Sequence, residues 1–339
     1  MRRFLGTALS VVLLTEALLA PGFGGPCPAV AAQEQDDPLA PLMAGVGRER
    51  VPWFLRHQTG VREGAHENGC NAAYVLPVSS APEAQERAVR DLLARDMHAL
   101  LIVPGEPETL APVLEEARAH GVAVISHESP EQTGADFDVE MLDHEAFGRR
   151  LMDELASRLR VPRGSYAILT TSLVHPTQSI WADAIVAQQQ RRYRNIEFLA
   201  TFPVGEDRNT AYLTTLDLLQ VHRDLIGIIC LSSEAAPGVA RALREQRTAQ
   251  PLTVIGTSTP NVSRADLKAG LIQACLLWDP AEAARVQAYL ARLVMDGKSD
   301  EIHQGMVVPD FGEPVVTGHT VSFNRPLLVS RDNIDEFNF

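Results

Sequence analysis

The chain has 339 residues, with 30 basic against 43 acidic side chains and a formal charge of −13. That acidic excess argues against nucleic acid as a partner, because phosphate backbones are met by basic surfaces. The length exceeds one ordinary core of roughly 100–200 residues and suits two lobes.

Arg2 and Arg3 precede an apolar stretch over 4–20, and the small residues Ala29, Val30, Ala31 and Ala32 precede the polar Gln33, Glu34 and Gln35. This order specifies an export signal over 1–32 and a periplasmic or extracellular protein. Glu16 interrupts the stretch, which is shorter than the roughly 20 apolar residues of a spanning helix, so a permanent anchor is disfavoured. Gly24, Gly25 and Pro26 before Cys27 give no support for lipid attachment there. Loss of Arg2, Arg3 and Glu16 leaves 28 basic and 42 acidic side chains, a charge of −14. Residues 33–40 are polar, contain proline and read as a tether.

Cys70, Cys230 and Cys275 then remain, with no C-x-x-C spacing. Neither a disulfide framework nor a zinc site is indicated, and at most one bridge can form.

Beyond the tether, apolar runs rich in Val, Ile and Leu alternate with stretches of helical periodicity, the rhythm of βαβ units and a parallel sheet. A first strand precedes Trp53. Helix 60–68 leads to strand 73–76, helix 82–95 to strand 99–103, and helix 108–119 to strand 122–126. After a turn-rich segment over 129–136, a second series runs through helix 143–160, strand 166–170, helix 178–192, strand 196–202 and helix 207–220. It continues with strand 226–231, helix 235–246 and strand 253–256. No G-x-G-x-x-G opens any of these helices, which disfavours a dinucleotide-binding sheet. In open parallel sheets ligands lie beyond the carboxyl ends of the strands, so the loops there are the places to look for chemistry.

One segment carries a family signal. It runs through Gly256, Thr257, Ser258, Thr259, Pro260, Asn261 and Val262, a helix over 264–269, Gly270, and Cys275, Leu276, Leu277, Trp278 and Asp279 before helix 281–297. Weaker signals are Trp53 with Phe54, and the run from Thr177 through Gln178 to Trp181. With these the chain resembles the type I periplasmic solute-binding proteins of ABC sugar importers, in particular the branch of rhamnose and autoinducer-2 binders. The resemblance implies two doubly wound parallel-sheet α/β lobes joined by a multi-strand hinge. Crossings are expected near His127, near Trp278 and near 305–308, giving a first lobe of 41–127 and 279–304 and a second of 128–278 and 305–339.

A sugar presents C–H faces that pack on aromatic rings and hydroxyls that both donate and accept. The resemblance implies such contacts from Trp53, Phe54, Glu128, Thr177, Gln178, Ser233 and Asp279. Each has a plainer reading: core packing for the aromatics, a solvated hinge charge for Glu128, helix capping for Thr177, Gln178 and Asp279, and turn formation for Ser233. His127, His144 and His175 lack metal-ligand spacing, so no metal is expected, and no cofactor. The string Asp310, Phe311, Gly312 stands without any other kinase motif.

The expected function is a non-enzymatic, monomeric receptor that delivers a small sugar to an ABC permease and meets the membrane only through it. Only Lys268 and Lys298 occur, both late, and Thr177 stands where autoinducer-2 binders carry an Asp. A neutral deoxyhexose or pentose is therefore favoured over autoinducer-2, which remains the alternative along with a sugar-sensing partner of a membrane receptor. A glycoside hydrolase would need two carboxylates flanking a scissile bond, for which Glu128 and Asp279 are the candidates. A repressor of this fold would carry a basic helix-turn-helix where the export signal lies.

Overall fold

Four-residue runs such as Ala99–Ile102, buried at every position, can only be strands covered on both faces, as parallel sheets flanked by helices are. A computed structural model describes residues 37–339, apart from Pro38, Ser80, Pro162 and 247–251. The expected export signal, Cys27 and most of the tether lie outside the described residues.

The first series is β1 (Leu42–Val46), α1 (Pro52–Glu67), β2 (Asn71–Val75), α2 (Pro82–Leu93), β3 (Ala99–Ile102), α3 (Pro107–Ala119), β4 (Ala123–His127) and β5 (Phe137–Glu140). The second is α4 (His144–Arg158), β6 (Gly164–Thr170), α5 (Pro176–Arg192), β7 (Ile196–Pro203), α6 (Arg208–Val221), β8 (Leu225–Cys230), α7 (Ala235–Gln246), β9 (Thr253–Gly256), α8 (Pro260–Ala269) and β10 (Ala274–Leu277). There follow α9 (Pro280–Met295), β11 (Val315–Thr317), β12 (Thr320–Ser322) and β13 (Leu327–Ser330). One sheet has the order β11-β12-β5-β4-β3-β1-β2 and the other β13-β10-β9-β8-β6-β7. Only the β11–β12 and β10–β13 pairs are antiparallel. Two α/β lobes result, as the alternation of strands and helices implies.

Prolines in the first turn open α1, α5, α8 and α9, where a missing N–H costs nothing. Pro52 starts α1 eight residues earlier than the expected helix over 60–68. Trp53 and Phe54 thus lie in a helical first turn at the end of β1.

The chain returns to the first lobe through α9, which packs on α1. A Cβ on Gly60 would press into the backbone of Ala281, and one on Gly64 would meet Ala288 Cβ at 2.7 Å. These glycines set how closely the two helices approach.

The lobe boundaries differ from the expected ones. β5 pairs with β4 through Ile125 and Phe137, and β12 pairs with β5 through Val321 and Val139. By sheet membership, residues 128–140 and 315–322 go with the first lobe, and the crossings fall at 141–143, 278–279 and 323–326. The cause is visible in β5, whose Asp138 and Glu140 give a buried four-residue strand the composition of a turn.

Candidate functional site

The carboxyl ends of β1, β4, β8 and β9 converge on a small cavity between the lobes. The first lobe contributes Arg48, Trp53, Phe54 and Glu128; the second contributes Gln178, Trp181, Glu206, Ser233 and Thr257. Trp278 lines it from the crossing that leads into α9. All three tryptophans of the sequence are on its wall.

Those rings form one cluster. Trp53 meets Phe54 edge to face at 4.9 Å and Trp278 at 6.0 Å, and Trp278 meets Trp181 at 5.8 Å. Their polar edges are spent elsewhere: Trp278 Nε1 donates to His127 Nε2 at 3.1 Å and Trp181 Nε1 to His144 Nδ1 at 3.0 Å. Since His127 Nδ1 donates to the Val139 carbonyl at 2.6 Å, the ring is held neutral, and burial pushes its pKa down to about 3. His57, between Tyr74 and Gln287, is pushed by burial down to about 4. What Trp181 and Trp278 turn toward the cavity is therefore carbon, the surface on which a sugar's C–H face packs.

Glu128 is the polar counterpart of this wall. It follows β4 with φ of +60°, a left-handed conformation that is uncommon for a residue with a Cβ. Only 7% of it is exposed, and its one polar contact among the described residues is Arg48 Nη2 at 3.7 Å. Burial raises its pKa and Arg48 partly offsets this. It is a buried carboxylate aimed at the cavity, not a solvated hinge charge.

The other acids near the site are committed. Glu206 Oε2 accepts from Ser232 Oγ at 3.0 Å, Ser233 Oγ at 2.8 Å and the Glu234 amide at 3.3 Å, and Oε1 accepts from Thr171 Oγ1 at 3.0 Å. Behind Glu128, Asp138 and Glu140 lie two residues apart on β5, and burial raises both well above the usual carboxylate range; Asp138 Oδ2 and Glu140 Oε1 have no hydrogen-bond partner among the described residues. Ser126 Oγ and the Ser129 amide donate to Asp138, while His144 Nε2 donates to Glu140 at 2.9 Å.

Of the residues expected at the site, Trp53, Phe54, Glu128, Gln178 and Ser233 line this one cavity. Thr177 does not line it; it is fully buried, with Oγ1 3.2 Å from His175 Nδ1. Asp279 also does not line it. Its Oδ1 caps α9 through the Ala281 amide at 2.9 Å, and both oxygens accept from Arg56, at 2.8 and 2.6 Å. With Asp279 tied up and off the cavity wall, the Glu128–Asp279 pair does not supply the two carboxylates that glycoside hydrolysis needs.

Arg48 and Glu206 are the charged site residues that the sequence reading missed, and Trp181, Thr257 and Trp278 join the wall without having been expected as ligand contacts. Arg48 Nη1 donates to His175 Nε2 at 2.6 Å, joining the lobes, and its guanidinium lies 5.2 Å over the Phe54 ring. A glutamate or arginine in a polar loop has no periodicity to single it out. Among the described residues no group of three or more His, Cys, Asp or Glu is arranged to hold a metal. Cys70, Cys230 and Cys275 are free thiols. No helix among the described residues is long and apolar enough to cross a membrane.

The profile of the periplasmic binding protein domain matches residues 48–299. Among solved structures, an ABC transporter solute-binding protein from Clostridium phytofermentas with bound L-rhamnose is 17% identical, with a TM-score of 0.78 over 88% of this chain and 98% of its own. LsrB from Clostridium saccharobutylicum in complex with AI-2 is 19% identical, with a TM-score of 0.79 over 88% and 100%. A solute-binding protein from Burkholderia graminis in complex with D-arabinose is 20% identical, with a TM-score of 0.76 over 90% and 100%.

Proposed function

We propose that this chain, which belongs to the periplasmic binding protein family, is an exported receptor that binds a small neutral sugar between its lobes and delivers it to an ABC permease. Glu128 carries the reading. A carboxylate nine-tenths buried, opposite an aromatic wall and served among the described residues only by a 3.7 Å ion pair, retains acceptor capacity that hydroxyl donors can fill. The sugars bound by two of the structural neighbours, L-rhamnose and D-arabinose, are of the class that such a site fits.

In this reading the sugar's C–H face packs on Trp53, Phe54 and Trp278 and its hydroxyls reach Glu128. Gln178 Oε1 and Nε2 are tied to Thr170 and Thr171, and Ser233 is tied to Glu206. These second-lobe groups are rigid edges that limit which hydroxyls fit. Arg48 gives up the Phe54 face and becomes a donor to the ligand. Binding draws the lobes together about their three crossings, and the permease distinguishes the closed form from the open one. No bond is made or broken.

Because every tryptophan lies on the cavity wall, intrinsic fluorescence reads occupancy directly. Titration with L-rhamnose, D-arabinose, D-ribose and D-galactose is expected to give a saturable change for at least one of them. No change with any neutral monosaccharide or with AI-2 would overturn the sugar reading.

A further inference from the structure

Arg48 divides the interlobe space in two. On its inner side is the aromatic cavity, about 30 Å³, room for a water or two. On its outer side is a cavity of about 170 Å³, comparable to the roughly 150 Å³ that holds a six-membered ring. The outer cavity is also built from both lobes: Arg48, Glu49 and Gly105 face Thr171, Ser172 and His175.

The two spaces differ in chemistry. The inner one has the rings and Glu128, and the guanidinium of Arg48 lies on both, 5.2 Å over Phe54 and 3.7 Å from the carboxylate. A sugar ring seated on that wall takes the place of the guanidinium, which must swing aside. The outer cavity is ring-sized with Arg48 where it is, and no Phe, Tyr or Trp lines it. The Glu49 carboxyl faces it with no side-chain hydrogen bond among the described residues. Burial and the nearby Glu206 raise the Glu49 pKa to about 7, leaving it able to donate or accept near neutrality. These polar groups suit hydroxyls, and Ala81 and Val174 supply the apolar edge on which a ring's C–H groups can rest.

We propose that the outer cavity is a second subsite, with Glu49, Gln85, Thr171 and Ser172 as its polar groups, and that the preferred ligand is a two-unit sugar. One ring lies on the aromatic wall at Glu128 and the other between Glu49 and Ser172. The inference rests on the sugar-receptor reading above and extends the ligand from a monosaccharide to a disaccharide or hydroxylated glycoside. Gly105 gives a direct handle: a Cβ there meets Arg48 Cδ at 3.4 Å and Gln85 Oε1 at 3.5 Å, so a larger side chain projects into the outer cavity without displacing backbone.

The test is calorimetric titration of the full chain with L-rhamnose and D-galactose against disaccharides that contain them, rutinose and melibiose. The variants are Gly105→Leu and Glu49→Gln. A disaccharide is expected to bind about tenfold tighter than its monosaccharide, the gain from one or two added net hydrogen bonds. Gly105→Leu is expected to abolish that gain and leave monosaccharide affinity unchanged, and Glu49→Gln to reduce it in the same selective way. Monosaccharides that bind as tightly as the disaccharides, or variants that weaken both equally, would overturn the second subsite while leaving the receptor reading intact. Failure of every sugar to bind would overturn both.

Discussion

Arg48 and His175 join the lobes through a single hydrogen bond, Nη1 to Nε2 at 2.6 Å, which exists only while His175 is neutral. Burial, with Arg48 beside it, pushes the His175 pKa down to about 3. In an open cleft the same ring titrates near 6.5. Closure is therefore favoured in full above about pH 6.5, and each pH unit below that weakens it by about 1.4 kcal/mol. The radius of gyration of the unliganded protein is expected to rise on acidification from pH 7.5 to 4.5, and less so in His175→Gln. A radius independent of pH would remove the role of this contact in closure.

His57 and His127 make the same argument for the fold. Both are buried neutral, at about 4 and about 3. Their depressed values mean that stability is complete above about pH 6.5 and declines toward the folded values. Relative to His57→Gln, the wild-type chain is expected to lose about 1.4 kcal/mol of unfolding free energy for each pH unit below about 6. Urea melts at pH 7, 6 and 5 check the difference, which should widen with acid.

Asp138 and Glu140 act in the opposite sense. Their folded pKa values lie above the unfolded ones, so the stabilisation is complete at acid pH and is lost as pH rises toward the folded values. Glu140→Gln removes one charge from the pair. Its melting temperature is expected to gain on wild type progressively as pH rises above about 4.3, the unfolded glutamate value, and parallel curves would show that burial does not raise the pKa of the pair.

Asp279 supports the crossing into α9 through its cap and its two bonds from Arg56. Asp279→Ala is expected to cost about 2–3 kcal/mol of stability, the sum expected for a cap and a charge-assisted contact. Sugar affinity should change by less than about twofold, a small fraction of the 1.4 kcal/mol that a factor of ten represents. A large loss of affinity in a variant that still melts like wild type would make it a ligand contact.

Much of the fold was legible because its signals are periodic. Runs such as Leu100, Leu101 and Ile102 must be buried wherever they lie, and their alternation with helices leaves few topologies. β5 was not legible, since two of its four residues, Asp138 and Glu140, are acids that composition assigns to a turn and the fold buries. The site divides in the same way. Trp53 and Phe54 stood out by type, and Glu128 by its place after a strand. Arg48 and Glu206 became visible only when two lobes distant in sequence brought them together. Asp279 looked like a ligand carboxylate because its cap and its partner Arg56, 223 residues away, are indistinguishable from a binding role in sequence.

The central claim is that Glu128 is the ligand's anchor, and calorimetric titration of wild type and Glu128→Gln with the tightest-binding sugar tests it most directly. Loss of charge-assisted hydrogen bonds of about 1.5–3 kcal/mol predicts affinity weaker by roughly ten- to a hundredfold, with the fold intact by circular dichroism. Equal affinity in the two proteins would contradict the account.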